Sequence, residues 1–597
     1  MTRKTIAVLV MIVSSAAAQA ATLEPVGVIG NSGFAGASLL KMHPGGFPGG
    51  AVLDEEMTLW RTAAPDRLER VALDGRLIAA YKIEGGRMGH NAHNVRVALV
   101  GDYVVALFVD MGRMYVMRRD LDPADPRNLN GTRTMKPLEL DPPIRFWYAS
   151  GLGARGIAGR AIVDDRTAVQ AIDPATGKTE KLFDLPGNVA EHGLETTAGG
   201  IIYVSGDKTW AFDVRGNLLR EGPKLWGRLN AVPGGLLAFN YGSVQHTTES
   251  LASPRKLFWN ANIEITRLGQ ATAITPTTYA FASMGGPIYL GDYAGDRITL
   301  NRRYGALTPD TIGLSAQGEV LAACYGGFLV WQWDDPADAV PFYSGRQANI
   351  LRCGQMASRG KFTWGIKQSY RTTEKMQVWI WPPGPFGLEH CTLEGERPAR
   401  PRGMTVTEDW KMFLSAENDR NLYVAAARRE GYINANVRKV TWDDTSPLRA
   451  PGDLAGWRDG KVLVADGNEI VMLHPAGEHY RQAWRFSSWG EKPEERFGDE
   501  VHVAVTGDYL LVADTQRHRV LVFDLPDRKP AACLGSTDRP GAGILAFDHP
   551  TQLAANGLLV GIYDRGNQRV VKCELKPEEA RRADSGHGGR APLRPTR

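Results

Sequence analysis

Cysteine is scarce: five residues in a chain of 597, at Cys324, Cys353, Cys391, Cys533 and Cys573. None sits in a C-x-x-C pair and no C-x-x-C-H occurs, which excludes covalent haem and the usual cysteine-paired zinc modules. An odd count leaves at least one thiol free or paired between chains; Cys533 with Cys573 is the pairing that could link the last repeats. Long apolar runs are also missing. The longest candidate, Ile6 to Val13, has eight residues, against roughly 20 for a bilayer span. Helical 3.6-residue periodicity is almost absent, which sets helix bundles aside. The chain contains no H-E-x-x-H, P-loop, G-x-S-x-G or EF-hand loop, so zincin, nucleotide-hydrolysis, α/β-hydrolase and EF-hand chemistry have no local support.

Charge of one sign is in short supply too. The net +4 resides at the ends: Arg3 and Lys4 at one, and at the other a tail from Lys576 to Arg597 with six Lys/Arg against three Asp/Glu. The body between is close to neutral and lacks the basic face that phosphate neutralisation requires. Nucleic acid is therefore excluded as a partner.

What is present begins with an export signal. Arg3 and Lys4 precede the apolar run, and small residues from Ser14 end in Ala18-Gln19-Ala20, an A-x-A cleavage pattern. Cleavage after Ala20 gives a periplasmic or extracellular protein with no transmembrane segment. A compartment of that kind permits disulfides.

The rest of the chain is repetitive. Short apolar or alternating segments begin near Met57, Tyr103, Ile162, Ile201, Leu236, Tyr279, Val320, Phe362, Met412, Val462, Tyr509 and Leu558. Their spacing averages about 46 residues, the length of one four-stranded propeller blade. The 67 glycines and 35 prolines suit many short strands separated by turns. The expected fold is all-β: two tandem six-bladed β-propellers of four-stranded antiparallel blades, because single rings usually hold four to eight blades. The boundaries read from the chain are 1–20 signal peptide, 21–307 first propeller, 308–576 second propeller and 577–597 a basic tail. The break falls near Tyr304 to Pro309, and the Pro-rich stretch Asp122 to Pro143 reads as a surface insertion.

The last repeats share a motif. Tyr509 to Leu525 reads YLLVADTQRHRVLVFDL and Gly557 to Leu575 reads GLLVGIYDRGNQRVVKCEL, each with Asp, four residues, then Arg-Val: Asp514 with Arg519, and Asp564 with Arg569. Asp292 and Arg297 repeat the spacing, and His549-Pro550-Thr551 supplies a Pro ahead of a blade. This resembles the NHL-repeat propellers, clearly in the C-terminal blades and weakly in the first half. An Asp that accepts from turn amides and an Arg that crosses the hairpin to it hold a blade together. If partly exposed, such a pair contributes about 1 kcal/mol or less.

Propellers bind ligands at the central funnel. Aligning LVAD at 511–514, LVAD at 463–466, FLSA at 413–416 and GIYD at 561–564 places Arg402, Asp453, His502 and Gln552 just ahead of equivalent strands, with His549 three positions further out. A cation, an anion, an imidazole and an amide converging on one funnel could hold a polar ligand, and His502 could serve as a base. His90 and His93, three apart before the strand near Tyr103, are the metal-ligand candidates, although a loop does not fix their geometry. No motif requires a cofactor; a structural or funnel-bound divalent cation is compatible with the pattern. Trp331 with Trp333 and Trp379 with Trp381 alternate along strands, as blade-to-blade core residues do and as sugar-stacking platforms do.

Three functions fit these residues. The first is an exported propeller that binds a ligand or partner at a funnel, with a polysaccharide or a protein as the partner. The second is a carbohydrate-active enzyme such as a propeller polysaccharide lyase, with His502 and Arg402 as its catalytic candidates. The third is a non-catalytic assembly scaffold.

Overall fold

The computed structural model describes residues 21–30 and 50–577, apart from 65–66, 85–94, 109–111, 124–133, 147–149, 187–192, 241–242, 260–267, 284–287, 305–308, 325–326, 345–351, 369–375, 385–386, 397, 399, 431–432, 435 and 444–445. The signal segment, His90 and His93, most of the expected break and the tail beyond Pro577 lie outside the described residues. Within them the fold is all-β and β-propeller-like. Its only helical turns are single 3-10 segments at Arg458–Gly460 and Pro493–Glu495, and no helix is long and apolar enough to cross a membrane.

Each repeat position falls within one residue of a strand start: Thr58, Tyr103, Ala161, Ile202, Gly235, Thr278, Glu319, Phe362, Lys411, Val462, Tyr509 and Leu559. Eleven of these strands lie second in antiparallel meanders; Ala161–Asp164 opens a three-stranded sheet, with only an isolated bridge from Leu152 to Val163 ahead of it. Two pairs of neighbouring meanders join edge to edge through short parallel bridges, Lys82–Ile83 with Thr134–Met135 and Phe258–Trp259 with Arg297–Ile298. The expected insertion thus contains a strand, Thr134–Pro137, the last of its own meander and paired on its other side with Leu77–Ile83 of the neighbouring one.

The reason for continuous apolar runs in the second strands is burial on both faces. Val462–Asp466 is buried throughout, whereas the outer strand Leu218–Gly222 is mostly exposed. In the sheet that contains Tyr509–Asp514, Leu511, Ala513, Val520 and Val522 pack against Leu553, Val560, Ile562 and Val571 of the following sheet. Its opposite face, through Leu510, Val512, Leu521 and Phe523, packs against Leu463, Ala465, Ile470 and Met472 of the preceding one. Trp331, Trp379 and Trp381 belong to such intersheet cores and are buried, with Trp379 edge-on to Phe328 at 5.2 Å. They present no open face to a sugar.

The first strands of consecutive sheets lie side by side. In the C-terminal half they are Thr311–Leu314, Arg352–Arg359, Pro401–Val406, Pro451–Gly456, Val501–Thr506 and Pro550–Asn556, and the last lies against the first, closing a circuit. In the N-terminal half the circuit runs from Ala51–Leu53 through Val95–Val100, the irregular segment at 151–156, Leu194–Thr196, Arg228–Val232 and Leu268–Ala273, and back to Ala51–Leu53.

The strand Ala21–Gly30 does not join the N-terminal half. It pairs antiparallel with Arg569–Pro577, from Ala21 opposite Pro577 to Gly30 opposite Arg569, and forms the outer strand of the last sheet. Its Ala21 and Leu23 enter the core shared with the preceding sheet, and its Ile29 enters the core shared with the sheet of Thr311–Leu314. Residues 21–30 thus complete the last sheet of the C-terminal half, and the boundary at 21 does not begin the N-terminal one.

The repeated Asp–Arg pairs form at two of the three positions, and they are more deeply buried than a hairpin contact would be. Arg519 donates to Asp514 Oδ2 at 2.9 and 2.8 Å, to Glu494 O at 2.7 Å and to Arg496 O at 2.8 Å. Arg569 binds Asp564 and the carbonyls of Ala542, Gly543 and Ala546 in the same way. Each guanidinium thus clamps the loop that feeds the first strand of its own sheet. Asp292 instead accepts from Thr278 and Asn301 at 2.7 Å, and Arg297 is exposed. Nor does the proposed disulfide form: Cys533 and Cys573 are both free, the first exposed on an outer strand and the second buried in the adjoining core.

Candidate functional site

The mouth of the C-terminal circuit is set by the register of the first strands. His502 faces Ala513 and Gln552 faces Tyr563 across equivalent pairs. A β-bulge before Leu454 leaves Asp453 at the same level, and one before Met404 puts Gly403 there rather than Arg402. The added bulge residue shifts every side chain before it by one position. Arg402 therefore stands one residue further out, with a side chain that is 46% exposed. Gly403 is required by close approach, since a Cβ there would collide with the backbone carbonyl of Gly452.

The structure brings three of the four expected residues into one neighbourhood and turns the fourth away. Asp453 Oδ2 is 2.6 Å from His502 Nδ1, and both side chains are buried. On the other side of the imidazole, Glu500 Oε1 lies 3.4 Å from Nε2 and 3.5 Å from Arg402 Nη2. Arg402 lies in a first strand and Glu500 just ahead of another, two sheets on, so their contact spans the mouth above the strand of Asp453. Gln552 instead accepts a hydrogen bond from Thr311 Oγ1 at 2.8 Å.

The charges alternate, and this fixes the protonation states. Burial alone would lower the pKa of His502, but Asp453 and Glu500 outweigh it and push it up to about 9. The His502 contact holds Glu500 down at about 2 against its partial burial, with Arg565 and Arg402 adding to the effect. At neutral pH an imidazolium thus sits between two carboxylates. A protonated imidazole has no lone pair with which to abstract a proton, so His502 is not poised as a base. Nor is it a solvated funnel residue: it is 5% exposed, and its buried Nε2 faces Glu500 at 3.4 Å.

Two groups escaped the sequence reading. Glu500 lies in the approach to a strand, where an acidic residue carries no special signal. Gln355 sits at a bulge in Arg352–Arg359, and its Oε1 accepts from Met404 N at 2.9 Å and Leu454 N at 2.8 Å while its Nε2 donates to Leu454 O at 2.9 Å. Gln270 does the same in the N-terminal circuit, accepting from Ala51 N at 3.2 Å and Val97 N at 3.1 Å and donating to Val97 O at 2.9 Å. Each glutamine ties the first strands of three successive sheets together and occupies the channel below the mouth. Both follow a glycine, at 269 and 354, and that Gly-Gln pair was the signal available. The N-terminal channel also buries charge: Glu195 accepts from Ala154 N at 2.7 Å, burial pushes its carboxyl up to about 7, and Arg96 pulls the other way.

No family model and no curated protein matches the chain. Solved structures that resemble it include a nidogen/laminin complex, 14% identical over 42% of this chain and 89% of the other, with a TM-score of 0.30. Another is the extracellular domain of a candidate one component system from B. thetaiotaomicron, 10% identical over 89% of this chain and 74% of the other, with a TM-score of 0.29.

Proposed function

We propose that the chain is an exported protein of two tandem six-bladed, NHL-like propellers that binds a hydroxyl-rich ligand, a glycan, at the rim of the second funnel. The observation that carries this reading is the group made by Asp453, His502, Glu500 and Arg402. It sets an ionised carboxylate between a buried imidazolium nitrogen at 3.4 Å and an exposed guanidinium at 3.5 Å. Donors and an acceptor fixed at that spacing match vicinal hydroxyls, which both give and receive hydrogen bonds. The mixed charge favours a polar ligand over a strongly anionic one. Binding fits this geometry better than lyase chemistry does, because His502 is held in its acid form.

The test is to measure binding of the mature protein to neutral and uronate-containing polysaccharides by calorimetry, alongside absorbance of unsaturated products. Binding to a neutral glycan that Arg402→Ala weakens at least tenfold, at unchanged Tm, is expected. Unsaturated product would establish the lyase reading instead, and binding untouched by Arg402→Ala would move the site elsewhere.

A further inference from the structure

We infer that His518, Asp548 and His549 form a divalent transition-metal site, with three protein ligands and a position open to solvent. His518 ends the turn between the strands Tyr509–Asp514 and Arg519–Asp524, and Asp548-His549 lead into Pro550–Asn556 of the next sheet. One ligand atom from each lies within 4.8 Å of the other two.

Hydrogen bonds hold the three groups together at a spacing close to that of metal ligands. Asp548 Oδ1 lies 2.6 Å from His549 Nδ1, which can donate to it. The same oxygen is 3.5 Å from His518 Nδ1, and that nitrogen already accepts the backbone N–H of His549 at 3.2 Å. His518 Nδ1 has one lone pair, so a cation between it and the carboxylate takes the place of the His549 N–H on that nitrogen and bonds both atoms. Ligand bonds of about 2.0–2.1 Å in a tetrahedral zinc site place ligand atoms roughly 3.4 Å apart. The His518–Asp548 separation already meets this, and the His549–Asp548 separation needs to open by less than about 1 Å.

The surroundings fix the ligands. Both histidines hold the left-handed backbone conformation, at φ +55° and +54°, which non-glycine residues seldom adopt unless their neighbours impose it. The rings stand edge to face with centres 4.6 Å apart. The carboxylate of Asp548 occupies space that a side chain at residue 566 would take, and Gly566 N donates to Asp548 O at 2.7 Å. Asp548 N donates to Asp564 Oδ1 at 2.8 Å, so the Asp564–Arg569 clamp also positions the acid ligand. Two imidazoles with one carboxylate select zinc or another late first-row ion over calcium or magnesium, which prefer all-oxygen shells. Asp548 and His549 are partly exposed, at 22% and 30%, which leaves the remaining coordination position to water or a ligand atom.

The test uses the full mature chain after chelator treatment, titrated with Zn²⁺ by competition calorimetry and with Co²⁺ by visible absorption. One ion per chain, with a four- or five-coordinate cobalt spectrum, is expected. His549→Ala and Asp548→Asn, both at partly exposed positions, should each weaken uptake on the order of 100-fold or more, while His474→Ala in a different sheet should not. His518→Ala is read only if its far-UV spectrum and Tm show a folded chain. Absence of uptake at tens of micromolar Zn²⁺, or uptake that the folded His549→Ala and Asp548→Asn chains retain, overturns the assignment.

Discussion

Replacing Arg519 by Ala removes a guanidinium whose side chain is 2% exposed and which bonds Asp514, Glu494 O, Arg496 O and Thr537 Oγ1. An exposed hairpin pair would be worth about 1 kcal/mol or less. A buried pair broken from one side costs about 3–5 kcal/mol, because the remaining charge stays in the interior. We expect a loss of about 4 kcal/mol at pH 7, which for a unit of some 250 residues lowers Tm by about 8–16 °C. The pH dependence separates charge from packing. Burial already raises the pKa of Asp514 against the pull of Arg519. A carboxyl with a raised folded-state pKa is least costly below its unfolded value, and its cost grows as pH rises. Without Arg519 that shift enlarges, so the deficit of Arg519→Ala should shrink between pH 7 and pH 5 as Asp514 takes up a proton. Urea denaturation at both pH values, followed by tryptophan fluorescence, reads the difference. A loss near 1 kcal/mol, or a deficit equal at the two pH values, would refute the reasoning.

Exported protein should begin at Ala21, checked by intact mass; retention of Met1 or of the apolar run would reject the cleavage pattern. Deleting residues 21–30 should open the last sheet, so limited proteolysis is expected to cut within 308–577 well before 50–304. Equal resistance of the two regions would show that the strand adds little. For His502, the folded pKa of about 9 against an ordinary 6.5 means stability fully present below pH 6.5 and lost as pH rises through 9, at most about 3 kcal/mol. Glu500 reports the same contact from the acid side, so the two are counted once. The stability gap between wild type and His502→Gln should therefore narrow between pH 6 and pH 10; a constant gap would contradict the protonation state assigned here.

The strands were legible because apolar runs bounded by turns survive in the sequence even where the blades have drifted. The site was legible only in part. His502 and Asp453 lie at constant spacing, so alignment of the strands placed both correctly. Arg402 came out one position off because it lies 51 residues ahead of Asp453, whereas Met404 and Leu454, at equivalent places in their sheets, are 50 apart. Glu500 and Gln355 were missed because one polar residue in a strand or its approach looks like any other; only the structure shows Gln355 reaching Leu454, 99 residues away. The outer strand of the last sheet was misassigned for a related reason. Pairing between Ala21 and Pro577 leaves no local trace in either segment.

That pairing has a consequence for how the molecule is made. Of the described strands, the one at 21–30 is the first to leave the ribosome and its partner at 569–577 the last. At 5–20 residues per second, the interval between them is roughly half a minute to two minutes. Throughout it, Leu23 and Ile29 are apolar groups with no sheet to enter, and the final sheet presents an unpaired edge able to capture a strand from another chain. Completion is therefore a late, long-range event. A chain stalled before residue 569 carries its leading strand as an exposed, adhesive end, and a completed neighbour whose own 21–30 has not yet docked offers the matching edge at 569–577, the starting condition for strand exchange between copies.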